Sequence, residues 1–204
     1  MRMPKLAWSA VAALMLLVVF GVREVLAERS LEGPTYTLDK SDGAIEFRSY
    51  QPYLVAQVTV KGERSKAASQ GFEILAGYIF GKNRSRQDPQ QAEKIAMTSP
   101  VTQEPEGRGT WKVRFMMPAT HTLETLPVAE DSRISFLNNP AERYLVLRFS
   151  GGWSEDNLSQ HRGLLQQYAA SHHLEVSGEP FYAFYNAPFV PPPLRRNEVL
   201  LRLP

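Results

Sequence analysis

The chain has 204 residues, 43% hydrophobic and 22% charged, which is enough for one domain with a full-sized core. Its 23 basic and 21 acidic side chains give a net charge of +2, and setting aside residues 1–27 leaves 20 of each, so no basic face marks a nucleic-acid partner. There is no cysteine, which excludes disulfides, a thiol nucleophile and a lipidated cysteine.

The chain opens with Arg2 and Lys5, continues through an uncharged stretch from Leu6 to Val22, and exits through Val25-Leu26-Ala27 before Glu28. Positive, apolar and then small residues is the order of an export signal. At 17 residues the apolar stretch is long for a signal and short for a span. Residues 1–27 therefore read as either a cleaved signal peptide or a membrane anchor through residues 6–22. Either places the domain outside the cytoplasm, in a periplasmic or other extracytoplasmic space. Residues 28–42 follow as a polar linker to a domain over 43–204.

Within that domain Ala44 to Tyr50 and Tyr53 to Lys61 alternate polar with apolar around Gln51-Pro52, which predicts two antiparallel strands. A helix is predicted from Lys66 to Phe80. Ala68, Phe72, Leu75 and Ile79 form one apolar stripe and Ala67, Gly71, Ile74 and Tyr78 the next, together an arc of roughly 160°, wider than the ~100° that rests a helix on a sheet. The surplus predicts a second neighbour for that helix. Strands at Ile95–Thr102 and Thr110–Pro118 complete a first unit, residues 44–118.

A second unit, residues 133–204, repeats the first. Ile45-Glu46-Phe47 returns as Ile134-Ser135-Phe136 and Val55–Val60 as Tyr144–Phe149, about 89 positions on, while Val113–Pro118 returns as Val199–Pro204 at a slightly shorter offset. Strands are predicted at Arg133–Asn138, Arg143–Ser150, Phe181–Asn186 and Asn197–Leu203. A helix runs from Glu155 to His173, capped by Ser154 with acids in its first turn. Pro188-Phe189-Val190-Pro191-Pro192-Pro193 cannot continue a ladder and forms a loop. The two units predict an α+β fold: an antiparallel, barrel-like sheet of about eight strands with two helices packed on it.

Five segments, Glu46-Phe47-Arg48-Ser49-Tyr50, Gly81-Lys82-Asn83, Lys94-Ile95-Ala96-Met97-Thr98-Ser99-Pro100-Val101, Tyr185-Asn186-Ala187-Pro188 and Arg196-Asn197-Glu198-Val199, stand in one order and spacing. Over roughly residues 35–203 the chain resembles the SOUL haem-binding protein family. The resemblance implies a barrel of two βαββ units carrying haem or another tetrapyrrole in an exposed apolar cleft beside the first helix, without catalytic chemistry. The chain departs from the family pattern twice. Ser49 stands where some members carry a histidine proposed as iron ligand, and Ser69-Gln70 where others place a basic residue for the haem propionates.

On that reading Phe72, Leu75, Ala76, Ile79 and Met97 are the candidates for the ring, with Lys82 and Arg195 for its carboxylates, since cationic side chains pair well with them. Arg196 is open to bonding only Glu198 or a strand-start carbonyl. His161 and His172 share an arc with Leu158, Leu165 and Tyr168. Eleven residues, about 16 Å, separate them, so they cannot hold one metal together. Each is open to a lone axial role or to an ordinary hydrogen-bonded place. His121 is expected in solvent, and Met97, Met116 and Met117 as core fillers or thioether ligands. No Gly-x-Ser-x-Gly, phosphate-cradling loop or His-Glu-x-x-His is present, so the expectation is a non-enzymatic, exported tetrapyrrole carrier, buffer or sensor. The alternative is a membrane-tethered interaction module with a vestigial cleft and a proline loop that binds protein.

Overall fold

The computed structural model describes residues 31–204, so the expected export segment lies outside the described residues. In chain order the elements are β1 (Tyr36–Asp42), β2 (Ile45–Tyr50), β3 (Tyr53–Lys61), α1 (Arg64–Ile79), β4 (Asn83–Arg84), β5 (Val101–Pro105), β6 (Thr110–Met116), β7 (Val128–Ala129), β8 (Ser135–Asn139), β9 (Glu142–Phe149), α2 (Glu155–Ser171), β10 (Ser177–Phe184) and β11 (Asn197–Leu203). None of the described helices is long and apolar enough to cross a membrane.

Nine strands form one antiparallel sheet in the order β1-β2-β9-β11-β10-β5-β6-β3-β8. The repeats exchange their first strands: β2 pairs with β9 of the second unit, and β8 with β3 of the first. Only Gln51-Pro52 joins β2 to β3, six strand positions away in the sheet. In a flat sheet that is about 29 Å, whereas so short a link spans about 11 Å. Pro140-Ala141 imposes the same demand between β8 and β9. The sheet must therefore curl, and it forms a half-barrel.

Both helices lie on the outer face. Leu75, Tyr78 and Ile79 of α1 close a core with Leu54, Val58, Val113 and Phe115. Leu158, Leu165 and Ala169 of α2 close another with Leu145, Leu147, Val199 and Leu201. Tyr50, Tyr144, Val146, Phe181, Ala183 and Leu200 point the other way, where no helix covers them, and are buried all the same. Only the curl can do that, so this third cluster is the inside of the half-barrel.

The α+β class and two-helix architecture are as the sequence predicts, with three differences of detail. The main sheet has nine strands rather than about eight, because β1 emerges from the expected linker and pairs with β2. Every residue of β1 is exposed, as an edge strand allows. β4 and β7 add a two-stranded ribbon. The stretch expected as a strand from Ile95 joins a ladder only at Val101; before that Ile95 N donates to Ile79 O at 2.9 Å and Ser99 N to Glu32 O at 2.8 Å, spot contacts in place of a partner strand. Ser154 caps α2 as expected, accepting from Asn157 N.

Candidate functional site

Helix α1 is seated tightly because Gly71 faces the sheet: a Cβ there would lie 2.5 Å from Val113 Cγ2. Ala67, Gly71, Leu75, Tyr78 and Ile79 make its buried side. The surplus apolar width appears beside it as a stripe, Phe72, Ala76 and Phe80 at i, i+4 and i+8, with Phe72 40% and Phe80 62% exposed and Ala76 half-buried between them. Phe72 is steadied by Phe115, ring centroids 5.4 Å apart. Phe80 is the next step of the same spacing, so the i, i+4, i+8 pattern that extends the stripe is present in the sequence itself.

The expected ring contacts thus divide. Phe72 and Ala76 are on the stripe, while Leu75 and Ile79, at 0% and 1% exposure, lie in the core beneath it and support the helix instead of facing out. Met97 is half-buried against that same core. Lys82 lays its stem against α1 at Gly77, where a Cβ would meet Lys82 Cδ at 3.0 Å. Arg195 is used elsewhere: Nε donates to Val190 O at 2.7 Å, Nη2 to Pro188 O at 2.6 Å, and its guanidinium lies 4.4 Å over the Trp153 ring. It pins the proline loop. Trp153 O in turn accepts from Arg64 in the first turn of α1, whereas Lys82 packs at Gly77 near the last, so the two cations sit at opposite ends of that helix.

The histidines serve local structure. His161 Nδ1 is 2.7 Å from Asn157 O and its ring stacks on Phe149 at 4.0 Å. His172 contacts Tyr168 O and Ser171 Oγ and stacks on Tyr168. His121, expected in solvent, is half-buried and lines a cavity of about 400 Å³ with Tyr53, Met116, Met117 and Leu123. Met116 and Met117 are buried. Among the described residues no three or more His, Asp or Glu side chains gather as a metal site. Ser49 Oγ donates to Asp39 at 2.6 Å. The donor chemistry of the α1 stripe is apolar and fits the face of a tetrapyrrole ring; none of the histidines lies on that stripe.

On the inner side the first and last sequence segments meet in a network that strand periodicity did not reveal. Arg48 of β2 donates through Nη1 and Nη2 to both carboxylate oxygens of Glu198 of β11, each at 2.9 Å, and through Nε to Glu46 at 2.6 Å. Glu198 also accepts from Tyr185 Oη at 2.8 Å and from Arg196 Nε and Nη2 at 3.0 and 2.6 Å. Five hydrogen bonds thus converge on a carboxylate with no exposure to solvent. Burial pushes the Glu198 carboxyl upward, but Arg48 and then Arg196 outweigh it and hold its pKa below the ordinary value. Burial likewise opposes the Arg48 charge, and Glu198 more than restores it. Burial first, then the Glu198 charge, push the Tyr50 and Tyr185 phenols well above their ordinary range. Two arginines and two glutamates balance, so the network locks the repeats together without net charge. Arg196 bonds Glu198, one of the two roles its position at the strand start left open.

Above this network a cavity of about 500 Å³ opens between the N-terminal segment and the half-barrel rim, lined by Leu31, Pro34, Tyr36, Arg148, Tyr185, Leu194 and Arg196 among others. Tyr36 covers the Arg48 guanidinium at 4.5 Å and Arg196 lies 3.9 Å over the Tyr185 ring.

Comparison with known proteins adds three findings. The SOUL heme-binding protein family profile matches residues 31–202. No curated protein matches the sequence. Among solved structures the chain is similar to the EcmrR C-terminal domain, at TM-score 0.55 and 10% identity over 83% of this chain and 98% of that one. It is also similar to a hydrolase from Listeria innocua, at TM-score 0.54 and 13% identity over 81% and 94%. An uncharacterised conserved protein from Listeria innocua follows at TM-score 0.52 and 17% identity over 78% and 91%. At these identities the likenesses show the fold alone.

Proposed function

The chain belongs to the SOUL haem-binding protein family, and from that premise we propose that it binds haem or a related flat, apolar tetrapyrrole reversibly and without catalysis, as a carrier, buffer or sensor outside the cytoplasm. The observation that carries the reading is the stripe Phe72-Ala76-Phe80, an apolar surface along α1 on which Phe72 and Phe80 stand exposed with the half-buried Ala76 between them. A ring laid on it buries area on both partners at about 25 cal/mol per Å², which supplies several kcal/mol without an iron ligand. Lys82, at the end of the same helix, is placed for a ring carboxylate; Arg195 is held by the proline loop.

The test is a titration of the purified protein with haemin and with metal-free protoporphyrin. Both bind, with affinities within about tenfold, or about 1.4 kcal/mol, of each other. A sharp low-spin Soret band lost in His161→Ala or His172→Ala overturns the non-coordinating mode, and no binding of either compound overturns the reading. Export is tested by fractionation and mass: the chain is found outside the cytoplasm, starting at Glu28 if cleaved, and a full-length chain soluble in the cytosol overturns that part.

One observation favours the second reading, a membrane-tethered interaction module. Phe189 is 65% exposed at the proline loop that Arg195 holds in place.

A further inference from the structure

The 500 Å³ cavity over the Arg48–Glu198 network lies on the inner side of the sheet, opposite the α1 stripe, and has a chemistry of its own. Its wall holds two arginines and no acidic side chain. The Arg148 side chain extends from β9 into solvent and makes no hydrogen bond or ion pair with any described residue. Arg196 is 31% exposed at its side chain and commits Nε and Nη2 to Glu198, while Nη1 makes no hydrogen bond to any described residue. Glu198 cannot compete for these free donors, since it is saturated by five hydrogen bonds and sealed from solvent. Of the remainder of the wall, Tyr36, Tyr185, Leu31, Leu194 and Pro34 are flat or apolar, and Ser99 and Asn186 add neutral polar groups beside Gly33.

We infer that this cavity is a binding site for a planar aromatic carboxylate, with Arg148 and the free edge of Arg196 on the carboxylate and the ring between the tyrosines and leucines. Guanidinium forks match carboxylates in geometry as well as charge. Arg196 needs little ordering to bind, because Glu198 on one side and the Tyr185 ring on the other already fix its plane. A volume of 500 Å³ is within the range of small-molecule pockets and accommodates two or three fused or linked rings. The site stands apart from the proposed tetrapyrrole surface and does not depend on it.

The probe pair is biphenyl-4-carboxylate and its neutral carboxamide, titrated calorimetrically into the full-length protein. The acid binds at least tenfold more tightly than the amide. Arg148→Gln removes that preference while leaving amide affinity and melting temperature unchanged, since the Arg148 side chain is exposed and makes no bond to any described residue. Arg148→Lys restores part of it, and Ala76→Arg on α1 has no effect on either probe. Equal binding of acid and amide by the unaltered protein, binding of neither, or a preference that survives Arg148→Gln each overturns the inference, and none of those results bears on porphyrin binding at α1. Loss of acid binding in Ala76→Arg also overturns it, by moving the anion to the outer face.

Discussion

The two repeats share a plan and differ on both faces of the sheet. Outside, α1 has no side-chain N-cap and no acid in its first turn, yet it buries six residues and brings its backbone against Val113 at Gly71. Helix α2 has the Ser154 cap with Glu155 and Asp156 in its first turn, buries three residues, and carries a glycine, Gly163, with no neighbour within 4 Å. One helix is held by packing, the other by its own local signals. Inside, Glu198 of the second repeat anchors the buried network, whereas the matching place in the first, one residue before the Val113–Pro118 segment, is Lys112, bonded to Glu106 near the surface. A duplicated unit has thus specialised: the second half supplies the internal lock, and the first presents surplus apolar surface.

The largest effect is expected at the lock. Glu198→Gln leaves the buried Arg48 and the half-buried Arg196 with only Glu46 between them as counter-charge, and removing one partner of a buried pair costs about 3–5 kcal/mol. Lys112→Gln, at the matching surface position, costs at most about 1 kcal/mol. Denaturant unfolding of the two variants measures the difference, and equal costs would erase the internal asymmetry. The lock also sets a pH window. Because the folded pKa of Glu198 is depressed, its stabilisation is present above the ordinary carboxylate value, about 4.3, and is lost as pH falls through the folded value. Because those of Tyr50 and Tyr185 are raised, theirs is present below about 10 and lost as pH rises through the folded values. An acid limb that persists unchanged in Glu198→Gln would assign it to other carboxylates.

Next in size is Gly71→Ala. The added methyl meets both Cβ and Cγ2 of Val113 at 2.6 and 2.5 Å, and neither is a flexible end, so α1 must lift from β6. Overpacking of this kind costs about 1–3 kcal/mol, read as a lowered melting temperature. Full stability would mean that α1 is no more closely seated than α2.

What the sequence disclosed follows the same division. The offset between repeats, the two helices and most of the strands were legible from their apolar residues: burial alternates along the second half of β3, β9 carries a continuous buried run, and α1 shows an apolar face in excess. β1 was hidden because an edge strand with all seven residues exposed carries no burial pattern. The Arg48–Glu198 pair was hidden because its partners lie 150 positions apart and meet across β9, which no local period encodes. For the site, the helix and its surplus face were legible, but the 160° arc could not say which edge would be buried. Leu75 and Ile79 took the core and Phe80, one step further along, took the solvent.

On the outer face, Ala76→Arg tests whether the stripe is the ligand surface. Position 76 is half-buried between Phe72 and Phe80, so a long side chain can run its stem across the stripe and carry its charge to water. The variant folds, and porphyrin affinity falls at least tenfold, about 1.4 kcal/mol. Gln166→Arg, near the equivalent place on α2 and already exposed, changes nothing. Equal losses in both, or none in either, would favour the interaction module.

The smallest effect runs in the opposite direction. Gly163 lies inside α2, is exposed, and has open space where a Cβ would go. Alanine there adds helix propensity without a clash, a gain of up to about 1 kcal/mol, or about 2–4 °C in melting temperature for a chain of this size. The same change of residue thus stabilises one helix and destabilises the other, because Gly71 has a partner strand at its Cα and Gly163 has water. Porphyrin affinity in Gly163→Ala stays at the unaltered value if α2 serves only the fold. A change in affinity there, with melting temperature raised as expected, would show that the second helix contributes to binding and that the division between the halves is incomplete.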